Sequence, residues 1–224
     1  MQKFSTIRAR AEDRKGGAEA LDALLADAES HRRDISKLGD DRVLSEFTKR
    51  IFQAGFNWSV VENKWDGFEA AFHGFDIGRN ALMSDDDLDR LLKDKGIVRN
   101  ATKILSVRDN AVFLSDLARE HGSAAKFISD WPEDNLVGLW EVMKKRGSRL
   151  GGMSGQYALR FLGKDSFILS NSVVAALEMA GVIDGPATSK KALAAIQDAF
   201  NQWHAESGQS YTRISRTLAM SVGD

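Results

Sequence analysis

Residues 144–164 read KKRGSRLGGMSGQYALRFLGK. Upstream, Leu136, Leu139, Trp140 and Met143 recur at helical spacing, and Gly147 stops the pattern. The run Leu150-Gly151-Gly152-Met153-Ser154-Gly155 then lies between that helix and a second one. A tight glycine turn opening a helix presents backbone N–H groups and the positive end of the helix dipole, which suits a phosphate. The window holds six basic residues (Lys144, Lys145, Arg146, Arg149, Arg160 and Lys164) and no acid. Such a cluster attracts a nucleic-acid backbone whatever its sequence. A structural helix–turn–helix corner with solvated surface charge is the plainer alternative, and the corner by itself leaves both open.

Helical periodicity continues outward from this corner. Ala18, Leu21, Leu24, Leu25 and Ala28 form one stripe, and Val43, Leu44, Phe47, Ile51 and Phe52 form another that ends near Gly55. Ser84 precedes Asp85, Asp86 and Asp87 as a helix cap with acid in the first turn, ahead of Leu88, Leu91 and Leu92, and Gly96 is the expected stop. Residues 100–121 suit a long helix carrying Ile104, Val107, Ala111 and Leu114 on one face. Further stripes run through Val173, Ala176, Leu177 and Ala180, through Ala192, Ala195, Ile196, Ala199 and Trp203, and through Ile214, Leu218 and Met220. Only Pro132 and Pro186 interrupt, and no sustained alternation suggests a sheet. An all-α protein of about ten helices is predicted, with residues 181–191 as its longest connection.

A chain of 224 residues can build one large domain or two small lobes. Its 43% hydrophobic and 28% charged residues are ordinary for a globular protein, and no apolar run approaches membrane-spanning length. The opening MQKFSTIRARAEDRKGG is charged where an export signal would be apolar, so a cytoplasmic setting is expected, with no membrane partner. The absence of cysteine excludes disulfides, thiolate-held zinc and iron–sulfur sites, and thiol catalysis. His31, His73, His121 and His204 show no ligand spacing, so neither a metal nor a cofactor is expected. The net charge of −1 gives no overall pull toward nucleic acid, which leaves the local distribution to decide.

Residues 51–76 gather Phe52, Phe56, Trp58, Trp65, Phe68, Phe72 and Phe75. Most belong in the interior of an all-α protein. Phe56 and Trp58 differ, because they follow Gly55 at a helix break and are flanked by polar Asn57 and Ser59. Exposed aromatics beside a cationic surface suit base stacking.

Taken together and in order, QAGFNW at 53–58, WDGFEAAFHGFD at 65–76, the acidic cap at 84–89, GIVRNATKI at 96–104, Asn110-Ala111 and GMSGQYA at 152–158 resemble the DNA-3-methyladenine glycosylase I family. The resemblance spans roughly residues 43–163. It implies a two-lobed all-α helix-hairpin-helix glycosylase fold, with the glycosylase-like domain at 43–224 and the hairpin at about 143–163; the resemblance does not reach residues 1–42, which are expected to form an N-terminal helical extension. It further implies a protein that grips duplex DNA through the hairpin and extrudes one nucleotide. In that picture Gly152, Ser154 and Gly155 donate amides to a phosphate, with Lys145 and Arg149 beside them. Phe56, next to Gly55, wedges into the stack, and Trp58, preceded by Asn57, stacks on the extruded base.

The chain departs from the family pattern at informative places. Arg50 stands where the family uses a Glu to recognise its cationic base. Like charges 4 Å apart repel by about 1 kcal/mol in water and about 4 kcal/mol at an effective dielectric of 20. Glu46, one turn earlier, is positioned to approach the same pocket and to pair with Arg50. Ser170 matches the catalytic Asp of other branches of the superfamily, and Gln156 matches their lysine nucleophile. The family's zinc ligands and its N-terminal pocket tyrosine have no counterpart. The resulting expectation is a monomeric, monofunctional glycosylase acting on alkylated purines in duplex DNA, with Glu46, Arg50 and Ser170 as the catalytic candidates and Glu62 and Asp66 as further carboxylates. Its competitors are a relative that binds damaged or bent duplex without excision, and a helical interaction protein with no nucleic-acid role. No protein partner is inferred.

Overall fold

A computed structural model describes residues 1–223. Fourteen α-helices are found there and no strand. They are α1 (Phe4–Lys15), α2 (Ala18–Ala28), α3 (Asp40–Gln53), α4 (Trp58–Glu62), α5 (Trp65–Ala71), α6 (Ile77–Ala81) and α7 (Asp85–Lys93). There follow α8 (Ala101–His121), α9 (Ala124–Asp130), α10 (Leu136–Arg146), α11 (Met153–Leu162), α12 (Asn171–Met179), α13 (Lys190–Ser207) and α14 (Tyr211–Met220). The class is all-α, as the periodicity predicts. The number of helices exceeds the expected ten because the aromatic stretch breaks into the short helices α4, α5 and α6, and because α1 and α9 carry weak sequence patterns. Helix α7 ends at Lys93, ahead of the anticipated stop at Gly96, where the Asp94 carboxylate accepts the Gly96 amide at 2.7 Å.

The chain forms two compact units. One comprises residues 34–131 and 139–162, and the other comprises 1–33, 132–138 and the chain from Gly163 onward. The sequence division at 42/43 does not coincide with these units, since residues 1–33 fold with the C-terminal helices.

In the first unit α3 is the central helix and packs on α8 and α11. It buries Val43, Leu44, Phe47, Ile51 and Phe52, and each large apolar side chain so buried contributes about 1.5–3 kcal/mol. Trp65, Phe68, Phe72 and Phe75 stack in sequence at 5.1–6.1 Å between ring centroids, and Phe52 meets Phe68 edge-on at 4.7 Å. Asp40, at the start of α3, accepts the amides of Ala124 and Ala125 at 3.0 and 2.9 Å and so caps α9 as well. In the second unit Phe167 stacks on Phe200 at 4.0 Å, and the buried Asp165 accepts the first amides of α14, from Tyr211 and Thr212, at 3.1 and 2.8 Å. Arg213 on α14 reaches Asp22 of α2 at 2.8 Å, and Asp22 also receives Arg8 of α1 at 3.0 Å.

Candidate active site

The site begins where α3 ends. Ala54 leaves helical geometry and Gly55 adopts φ +74°, a left-handed conformation that a side chain would strain. The turn carries the next aromatics outward, so Phe56 and Trp58 are 43% and 41% exposed while Phe52, Phe68 and Phe72 are fully buried. Asn57 caps α4, its Oδ1 accepting the Ser59 amide at 3.0 Å and the Ser59 hydroxyl at 2.8 Å. From behind, Lys103 of α8 donates to the carbonyls of Phe52 and Ala54 at 3.2 and 2.7 Å and lies 4.6 Å from the Phe56 ring centroid. Burial, and then the charge of Arg149, holds the Lys103 ammonium below its ordinary pKa.

A cavity of about 470 Å³ opens beside this turn. Helix α3 contributes Arg50 and Gln53, the turn contributes Ala54, Gly55, Phe56 and Trp58, and α11 contributes Met153, Ser154 and Tyr157. Trp58 meets Tyr157 edge-to-face at 5.5 Å and Phe161 at 6.2 Å. The Arg50 guanidinium lies 3.8 Å from the Phe161 ring centroid and 5.4 Å from that of Trp58.

Beneath the cavity runs a connected polar network. Arg50 Nε donates to Glu46, and Nη1 donates to Gln53 Oε1 at 2.6 Å. Gln53 Nε2 donates to Glu62 Oε1 at 2.9 Å, and Glu62 Oε2 pairs with Lys49 at 2.7 Å. The anticipated i,i+4 pairing of Glu46 with Arg50 is thus present. Glu46 does not line the cavity, however, and its charge is balanced inside the protein by Arg50. Glu62 is likewise engaged, and among the described residues no carboxylate lines the cavity.

The corner between α10 and α11 is clamped by Asn110, fully buried on α8. Its Nδ2 donates to the Ser148 carbonyl at 3.0 Å while its Oδ1 accepts the Ser148 amide at 2.8 Å. Arg149 then takes φ +60°, and Leu150 is buried. Gly152 is exposed and Ser154 half-buried. Gly155 has a packing role instead, since a Cβ there would lie 2.3 Å from the Leu150 carbonyl oxygen. The first hydrogen bond within α11 is the Gln156 amide to the Gly152 carbonyl at 3.4 Å, so the amides of 153–155 precede it.

The basic window is less uniform than its sequence implies. Arg160 and Lys164 are buried, Arg146 pairs with Glu120 at 2.6 Å, and Lys145 lies 3.9 Å from Glu141. Lys144 and Arg149 are exposed, with no ion pair among the described residues. Ser170 belongs to the other unit and caps α12, accepting the Val173 amide at 3.4 Å. The other unit also has a larger groove, of about 670 Å³, among whose charged groups Arg8 and Arg213 both pair with Asp22.

Residues 36–149, just over half of the chain, match the family described as methyladenine glycosylase. The chain belongs to this family. A stretch of 59 residues is 41% identical to DNA-3-methyladenine glycosylase 1 of Escherichia coli (strain K12) and 34% identical to DNA-3-methyladenine glycosylase of Haemophilus influenzae. That stretch covers 26% of this chain and 32% of each relative, so the chain spans about a third of the length of the curated relatives it matches.

Among solved structures the fold is similar to 3-methyladenine DNA glycosylase I of Staphylococcus aureus, with TM-score 0.52, 21% identity, and coverage of 59% of this chain and 81% of that one. It is similar over nearly its whole length to the 8-oxoguanine glycosylase/lyase of Methanocaldococcus jannaschii, solved with a 15mer DNA, with TM-score 0.55, 15% identity, and coverage of 96% and 95%. Both likenesses are of fold. The methyladenine glycosylase match takes in α3, the Phe56–Trp58 turn and Asn110. It stops before α11, so the wall formed by Met153, Ser154 and Tyr157, with Phe161 behind it, lies outside. Sequence reasoning also missed Gln53, Tyr157, Phe161 and Lys103 as parts of the site. Residues 154, 157 and 161 share one face of a helix, which is the signal that was available.

Proposed function

We propose that the protein is a monofunctional DNA N-glycosylase, which swings an alkylated purine out of the duplex into the cavity beside Trp58 and hydrolyses its N-glycosidic bond. The observation that carries this reading is the convergence of exposed Phe56 and Trp58 with the start of α11 around one cavity. Extrusion costs a few kcal/mol, less for a damaged base. Stacking on an aromatic face returns about 1–3 kcal/mol per base. Trp58 and Tyr157 offer such faces, and Phe56 is placed to fill the gap left in the stack. Gly152, Ser154, Lys145 and Arg149 would hold a phosphate at the corner, so affinity would fall steeply with salt. With no carboxylate among the described residues lining the cavity, the chemistry relies on a base that already departs easily, and N-alkylation makes a purine such a leaving group. Gln156, in place of an amine nucleophile, argues for water as the attacking group. The test is to incubate the full chain with methylated duplex DNA and chromatograph the released bases. Release of methyladenine or methylguanine supports the proposal, and no release beside an active control overturns it.

A second reading is a protein that binds damaged duplex without excising the base. It is favoured by the engagement of Glu46 and Glu62 within the network and of Ser170 in capping α12. Preferential binding of a duplex carrying a tetrahydrofuran abasic analogue, with no base release from methylated DNA, would select it.

A further inference from the structure

We infer that Arg50 reads the C6 position of the extruded purine and that the cavity prefers a 6-oxopurine to a 6-aminopurine. This rests on the cavity being a base pocket. Among the described residues Arg50 is the one charged residue lining it, and its side chain is only 5% exposed. Glu46 holds Nε, Gln53 holds Nη1, and Phe161 covers a face of the guanidinium. The Nη2 donors have no hydrogen-bond partner among the described residues. A guanidinium carries five donors and no acceptor, so the leftover pair asks for an acceptor from the ligand.

Charge does not drive the choice, because Glu46 neutralises Arg50 within the protein. What the cavity offers is directed N–H groups between aromatic walls. Gln53 does not reverse that polarity, since its oxygen accepts from Arg50 and its amide donates to Glu62. The O6 and N7 atoms of a 6-oxopurine are adjacent acceptors of the kind arginine reads in DNA, whereas a 6-amino group sets N–H against N–H. The Trp58 face stacks on either ring alike, so the discrimination falls to Arg50.

Hypoxanthine and adenine share the purine ring and differ at C6, oxygen against amine, and at N1, which carries a proton in hypoxanthine alone, and titration calorimetry of the full chain with each free base measures the preference. Hypoxanthine is expected to bind at least about tenfold tighter, equivalent to about 1.4 kcal/mol. Arg50→Lys keeps a cation beside Glu46 but lacks Nη2, and Glu46→Gln with Arg50→Gln removes both charges together. Each is expected to bring the ratio to within about threefold, with an unchanged melting transition as the folding control, while Trp58→Ala weakens both bases together. Equal or tighter binding of adenine, no binding of either base, or a ratio that survives in a folded Arg50 variant overturns the inference. Binding to a tetrahydrofuran-containing duplex is measured in parallel. If that duplex is preferred over an undamaged one while the base ratio fails, only the inference about Arg50 falls. If the damaged duplex is not preferred, the base-pocket reading itself fails.

Discussion

Asn110 and Ser148 form a closed ring of two hydrogen bonds, side-chain amide to backbone, which ties the α10–α11 corner to α8. Asn110→Ala would leave both backbone groups of Ser148 without these partners. A loss of about 2–4 kcal/mol in unfolding free energy is expected, together with weaker duplex binding. Urea denaturation and fluorescence anisotropy measure the two effects. An unchanged midpoint would show that the clamp does not hold the corner.

Gly155→Ala forces a methyl group to within 2.3 Å of the Leu150 carbonyl oxygen, and only movement of the backbone relieves the overlap. About 1–3 kcal/mol of destabilisation is expected, with α11 displaced from the cavity. Gly152→Ala meets no atom within 4 Å and strains only its left-handed backbone, so it is expected to cost less. Thermal melts of the pair check this order.

Phe56→Ala and Trp58→Ala remove half-exposed side chains, so stability should change by no more than about 1 kcal/mol. Affinity for a duplex with a single abasic analogue should drop about tenfold for Phe56→Ala, and base release about ten- to hundredfold for Trp58→Ala. Anisotropy and single-turnover assays separate grip from base capture. Full activity in both variants would remove the aromatic turn from the site.

Glu133 sits in a short 3-10 turn at 133–135, and burial, then the charge of Asp165, holds its carboxyl above the ordinary carboxylate range. The folded form therefore binds this proton more tightly than the unfolded form. Stability from this group is lost as pH rises from the ordinary value through the folded one. Glu133→Gln is expected to raise Tm by about 1–2 °C near neutral pH and to have little effect below about pH 4. Scanning calorimetry at the two pH values tests the sign.

Local signals in the sequence carried much of the fold. Ser84 and Asp87 form the reciprocal capping box of α7, and Asn100 opens α8 by accepting the Lys103 amide at 3.1 Å. Helix α1 was not legible because its buried stripe is only Phe4, Ile7 and Ala11, set among arginines, and becomes meaningful once partners cover it. The site divides in the same way. Gly55, Phe56 and Trp58 announce themselves as a break followed by aromatics. The contact of Arg50 with Phe161 joins residues far apart in the chain, and only tertiary packing creates it. The basic window misled for a related reason: composition does not reveal that Arg160 is buried and that Arg146 is paired with Glu120.

The ion pairs linking Arg8, Asp22 and Arg213 have a bearing on biosynthesis. Leu21 and Leu25 of α2 cluster with Ala11 and with Met220, near the far end of the chain. On a ribosome adding about 5–20 residues per second, the first thirty-three residues emerge tens of seconds before the helix that covers them. Meanwhile the unit built from 34–131 and 139–162 has all its parts in hand. The nascent protein should therefore assemble the cavity beside Trp58 first and recruit its leading helices last, with their apolar stripe open to chaperones in the interval.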